Sequence, residues 1–325
     1  MKSISNKTVL SVLTTCFISL TALIQSPLES KADEFCRNIK NESQCEKLKD
    51  DYERALKPYI EEDNYLETLK QLDKVIRSNK RLSHAYFARA LIYYIELLDY
   101  SNALKEVNMV IKLDPTFSNA YALRSYFATF ELGDFKQSIK DANKSVEIDP
   151  ENALALLVRG FAKSEYAYEL LEQDKVNKAE MLAKEAIEDF TSVIDQPSFK
   201  VSNILAKRQF PYGILNDAYL ERGYLYIELG TLYRTNNKAK NRTMFREMFK
   251  LAVDDFSYLI KNAPDRGDDN DYGFVYPSKA DGYRQRGNAY SWNDDFLRAC
   301  KDWKKAKGLG DEDSMENYRV SCLGR

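Results

Sequence analysis

The stretch VIKLDPTFSNAYALR, Val110–Arg124, returns as VEIDPENALALLVR, which ends on Arg159. The interval is 35 residues, and Arg54, Arg89, Arg124 and Arg159 all keep it. No other feature constrains folding as much. A unit this small cannot bury its own apolar face, so successive units must stack. Ala85-Tyr86, Ala120-Tyr121 and Ala155-Leu156 precede the last three arginines. Asp99-Tyr100 and Asp134-Phe135 mark a turn between two helices, with Asn64-Tyr65 as a weaker version. Asp114-Pro115 and Asp149-Pro150 end the second helix, because proline lacks an N–H and clashes with the preceding turn.

Two further units lie downstream. One runs from Ala218 through Arg222-Gly223 to Phe256 and Pro264, the other from Ala280 through Arg286-Gly287 to Trp303 and Ala306. In the second helices a small residue is followed by apolar residues four and then three further on, as in Ala103, Val107, Val110 and in Ala252, Phe256, Leu259. That spacing gives one apolar stripe on a helix. Glycine (12) and proline (8) are sparse in 325 residues, which leaves few hairpins or β-turns.

These residues resemble the tetratricopeptide repeat, best in AYALRSYFATFELGDFKQSIKDANKSVEIDP, Ala120–Pro150. The resemblance implies an all-α chain, a right-handed α-solenoid of about six helix-turn-helix units over 48–310. The units fall at about 48–80, 84–115, 119–150, 153–197, 217–264 and 280–310. The early units are one residue longer than the usual repeat, and Pro58 sits inside the first helix of unit one. Units four and five carry insertions, Tyr166–Lys184 and Leu232–Lys250, that read as lengthened helices. The connector Ser198–Asn216 is also long.

The chain begins with basic Lys2 and Lys7, an apolar run from Val9 to Ile24, and small residues at Ser30 and Ala32. This pattern reads as a signal peptide, 1–32, cleaved after Ala32. An N-terminal cap segment, 33–47, follows. Cys16 leaves with the leader, and the remaining Cys36, Cys45, Cys300 and Cys322 allow three pairings. Cys36–Cys45 and Cys300–Cys322 are the expected bridges, since each ties down a terminal element with one neighbour. Reduced thiols and a metal site are the rival readings. The cysteine spacings and a single histidine, His84, speak against metal. The segment Ala299–Cys322 also resembles a recurrent bacterial C-terminal repeat ending. That likeness implies a capping helix within 311–325 and a Cys300–Cys322 bridge.

Three sets of residues are candidates for function. Arg89, Arg124, Arg159, Arg222 and Arg286 recur in the first helices, and Glu106, Asp141, Asp189, Asp255 and Asp302 recur in the second. We read them as structural ion pairs that fix helix register; the rival reading is a positive strip that grips an anionic ligand. The repeat resemblance implies a concave groove lined by first helices, which holds a peptide or partner helix. Projected from the arginines, its residues are His84, Phe87, Leu91, Asn119, Tyr126, Phe161, Leu220, Tyr224, Arg284 and Asn288. The basic segment Arg234–Lys250 reads as a solvated surface, or as a contact for an acidic partner or a membrane surface. The acidic loop Asp265–Gly273 lacks the closing Glu of a calcium loop and reads as a connector.

Asp and Glu together number 50 against 48 Lys and Arg, so nothing directs the whole surface to nucleic acid. The chain has no phosphate-binding glycine loop, GxSxG or HExxH motif. The expectation is a non-enzymatic scaffold or adaptor without metal or cofactor, exported to a periplasm, a thylakoid-type lumen or the outside. It binds a protein or peptide in its groove and is not stably inserted in a membrane after cleavage. A permanent subunit of an envelope or lumenal complex is the alternative, and a carboxylate-dependent enzyme the third.

Overall fold

A computed structural model describes residues 35, 42–62, 64–196, 213–235, 241–265 and 277–322. The leader, Cys16, Cys36, most of the 198–216 connector and most of the acidic loop lie outside the described residues. Thirteen α-helices and no strand occur among the described residues. They are α1 (Glu42–Glu62), α2 (Tyr65–Ser78), α3 (Ser83–Ile95), α4 (Tyr100–Leu113), α5 (Ser118–Phe130), α6 (Phe135–Ile148), α7 (Ala153–Glu172), α8 (Val176–Asp195), α9 (Gly213–Thr235), α10 (Asn241–Asn262), α11 (Lys279–Trp292), α12 (Phe296–Gly308) and α13 (Glu312–Cys322). None is long and apolar enough to cross a membrane. The fold is an all-α stack of helix pairs, in two compact units divided after Ala155.

The first unit pairs α1 with α2, α3 with α4 and α5 with α6. Each second helix opens on a side-chain cap, with Asn64, Asp99 and Asp134 accepting from the backbone N–H three residues on at 3.0–3.1 Å. A cap of this kind is worth ~1 kcal/mol. Tyr59 Oη donates to Glu96 at 2.7 Å, and Tyr94 Oη donates to Glu131 at 2.6 Å, so the same bond links successive pairs. α1 is continuous from Glu42, so no structural break occurs at the boundary expected after residue 47.

In the second unit the first helices carry glycine where the second helices place an aromatic ring. A Cβ on Gly160 would meet the Phe190 ring at 2.7 Å, on Gly223 the Phe256 ring at 2.6 Å, and on Gly287 the Trp303 ring at 2.7 Å. The core around α9 and α10 is formed by Leu220, Ile227, Phe249, Phe256 and Leu259 with two alanines, Ala252 and Ala289. α7 and α8 span 20 residues each, and α9 and α10 span 23 and 22, against 13 or 14 for α3–α6.

The last pair is closed by α13, tied to α12 by a Cys300–Cys322 disulfide with a sequence separation of 22. Cys45 is also disulfide-bonded. A closed loop of that length contributes about 3 kcal/mol through the unfolded chain. The Cys300→Ser/Cys322→Ser variant should therefore unfold at lower denaturant with a loss of about 3 kcal/mol. An unchanged midpoint would show that the bridge does not hold the cap.

Candidate partner-binding site

Each arginine of the ladder meets the carboxylate of its own pair. The shortest contacts are Arg89–Glu106 at 2.8 Å, Arg124–Asp141 at 2.7 Å, Arg159–Asp189 at 2.6 Å, Arg222–Asp255 at 2.7 Å and Arg286–Asp302 at 2.7 Å. In the last four, Nε and Nη2 both donate to the same carboxylate, the two-pronged geometry that arginine favours. The aspartate side chains are 4–5% exposed. Tyrosines three residues before Arg89, Arg124, Arg222 and Arg286 lie 5.5–5.6 Å from the guanidinium, within cation–π range.

The remaining arm of the guanidinium reaches the preceding pair. Arg89 Nη1 donates to Asp73 at 2.5 Å, Arg124 Nη1 to Asn108 at 3.0 Å, Arg222 Nη1 to Thr191 at 2.9 Å and Arg286 Nη1 to Ser257 at 2.9 Å. These acceptors form a column two residues past Gln71 or the paired acid, which the sequence reading missed. The signal was a constant offset with changing residue type, since the bond needs only an oxygen. Arg54 stands apart: it pairs with Asp51 of its own helix, because unit one has Gln71 where the others have an acid.

The projected groove residues divide. His84, Phe87, Leu91, Tyr126, Phe161 and Leu220 are buried. His84 lies between Phe35 and Phe117, with ring centroids at 4.8 and 4.9 Å. Phe87 meets Phe117, Tyr126 meets Tyr94 and Phe130, and Phe161 meets Phe190. These six fill space between helices and present no free face as they stand. Asn119, Tyr224, Arg284 and Asn288 are partly exposed. Asn119 accepts from Asn152, Asn288 accepts from Trp303 Nε1, and Arg284 binds Asp281, Asp311 and Asp313, which anchors the start of α13. Of the basic segment, Arg234 at the end of α9 binds Asp294, and Arg246 lies over the Phe245 ring. Asp265 of the acidic loop binds Lys279.

A different stripe emerges in the second unit. On α9, Asp217, Glu221, Tyr224 and Glu228 recur at intervals of four, three and four, which places them on one face. On α7, Glu165 and Tyr168 share a face with Phe161. The two stripes lie within electrostatic reach of each other: the Tyr168 phenol feels the charges of Glu228, Glu221 and Glu165, and that of Tyr224. Asp217 and Glu221 are buried, whereas Glu165, Tyr168, Tyr224 and Glu228 reach the surface. The result is a buried acidic floor with a rim of carboxylates and tyrosines.

No protein-family model and no curated protein matches the sequence. Among solved structures, PilF of Pseudomonas aeruginosa superposes with a TM-score of 0.53 at 13% identity, covering 86% of this chain and 99% of that one. PilW, a widely conserved type IV pilus biogenesis factor, gives 0.48 at 13% identity, covering 83% and 97%. A tetratricopeptide repeat protein from Parabacteroides merdae gives 0.38 at 16% identity, covering 84% and 98%. The fold is that of the tetratricopeptide repeat (TPR).

Within the TPR pattern, the acidic stripe depends on the lengthened helices. Tyr168 stands nine residues past the ladder arginine of α7, a position that falls beyond the end of α3 or α5. Burial pushes the Glu165 carboxyl up to about 7. Burial, with the charges of Glu165 and Asp217, holds Glu221 well above its ordinary value. Burial raises Glu228 as well. A carboxyl that holds its proton more tightly when folded stabilises fully below its unfolded value, near 4.5, and loses that contribution as pH rises through the folded value. Relative to Glu165→Gln, the wild-type protein should therefore lose stability between about pH 5 and pH 8 in urea unfolding. A difference that stays flat or grows in the opposite direction would contradict this placement of Glu165.

Proposed function

We propose that this chain is an exported, non-enzymatic TPR scaffold that binds a protein partner along the faces of its first helices. The observation that carries the reading is the contrast between the ladder and the stripe. The ladder arginines are consumed by pairing within the stack, whereas the α7–α9 stripe keeps the carboxylates of Glu165 and Glu228 at the surface outside that ladder. Stacked helix pairs offer an extended surface and no dedicated chemistry, which suits binding. The disulfides at Cys45 and Cys300–Cys322 support an oxidising compartment, a periplasm, lumen or the exterior, as does the leader pattern.

Affinity capture of the mature protein from its own host, across a salt series, tests this reading. A discrete protein partner is expected, released as the salt rises. Stoichiometric, salt-resistant co-purification would favour the permanent-subunit alternative. Recovery of no protein at any salt concentration would overturn the scaffold.

A further inference from the structure

The floor of the α7–α9 stripe is chemically incomplete. Glu221 is 1% exposed, and its Oε2 accepts no hydrogen bond; the buried Ser164 Oγ on α7 and Asn216 Nδ2 on α9 are likewise without partners. Leaving such groups unmet in a low-dielectric place is costly. The neighbours deepen the imbalance, since Glu165 and Asp217 bear on Glu221 with the same sign of charge. Among the described residues, two cations beside the stripe are committed to other carboxylates. Lys163 lies two residues from Glu165, about 200° round the helix, and binds Glu185 and Asp189. Arg284, close to Tyr224, holds Asp281, Asp311 and Asp313.

We propose that this stripe receives a lysine or arginine side chain from a basic segment of the partner protein, its cationic head lodged against Glu165, Glu221 and Glu228. An ammonium carries three donors and a guanidinium five, enough to meet more than one carboxylate of the stripe. The rings of Tyr168 and Tyr224 border the same place and supply faces that attract a cation. The inference deepens the scaffold reading and rests on it for the nature of the ligand.

The test uses the mature, oxidised protein and fluorescein-labelled peptides of seven residues, Ala-Gly-Lys-Ala-Arg-Ala-Gly and its Gln-for-Lys/Arg counterpart, followed by anisotropy. The basic peptide should bind at least about tenfold more tightly than the neutral one, the factor that ~1.4 kcal/mol represents. Glu221→Gln and Glu165→Gln/Glu228→Gln should each lower that affinity by a similar factor, and Glu188→Gln, on an exposed position of α8, should leave it unchanged. The rim double variant keeps the test valid should the buried Glu221→Gln variant fail to fold. Equal binding of the two peptides, no binding of either, or an equal loss in Glu188→Gln would overturn the cationic site. Capture from the host separates the two ideas. A partner held equally by wild type and both stripe variants leaves the scaffold and removes the cationic site. A wild-type protein that binds the basic peptide but captures no protein leaves the site and removes the scaffold.

Discussion

Arg222→Ala should destabilise the protein by about 3–5 kcal/mol, the range observed when one partner of a buried ion pair is removed. Asp255 would be left behind at 4% exposure with its two-pronged donor gone. Burial already holds the Asp255 carboxyl above its ordinary value, with Arg222 opposing. Without Arg222 the group should take up a proton instead of bearing an unmet charge. The loss should accordingly be greatest near pH 8 and smaller near pH 5, as measured by urea unfolding. The link to Thr191 of the preceding pair would also be lost, which removes a contact between repeats. Arg222→Lys should recover only part of the stability, because an ammonium cannot span both oxygens of the carboxylate in the same plane. Unfolding indistinguishable from wild type would move Arg222 out of the structural ladder and toward a ligand.

Phe256→Ala should cost about 3–5 kcal/mol, because the ring is fully buried at the centre of the α9–α10 core. Gly223→Ala should cost about 1–3 kcal/mol by overpacking, its Cβ falling 2.6 Å from that same ring. The two effects should not add. With the ring removed, the added methyl occupies the space it vacated, and alanine suits a helix better than glycine does. The double variant should thus be more stable than the sum of the single losses by about 1–3 kcal/mol. Strict additivity in equilibrium denaturation would mean that Gly223 and Phe256 do not face each other.

The recurrence of Gly160, Gly223 and Gly287 opposite Phe190, Phe256 and Trp303 explains why so much of the repeat could be read without coordinates. A repeated contact imposes the same residue type at the same place, so both columns of the ladder and the helix-ending Asp-Pro pairs stand out. The second arm of the ladder did not. Asp73, Asn108, Thr191 and Ser257 share only an acceptor oxygen, and no residue-type pattern marks them. Most of the projected groove residues are buried for a related reason. Phe87 and Leu220, two residues before their arginines, and Leu91, Tyr126 and Phe161, two after, lie where helices meet one another. Sequence periodicity places residues on a face but does not say which neighbouring helix covers it. Tyr224 alone of the projected aromatics stayed at the surface. The acidic stripe also depends on α7 and α9 being longer than their counterparts, and it lies in units four and five, whose departures from the repeat obscured its alignment.

Site-specific photocrosslinking in the host would test the binding face most directly. A p-benzoylphenylalanine at Tyr224, on the stripe, would be compared with one at Lys304, on the exposed side of α12. The account predicts a discrete protein adduct from position 224 and none of matching size from position 304. A discrete adduct from 304 alone would place the partner elsewhere and contradict binding along the first-helix faces.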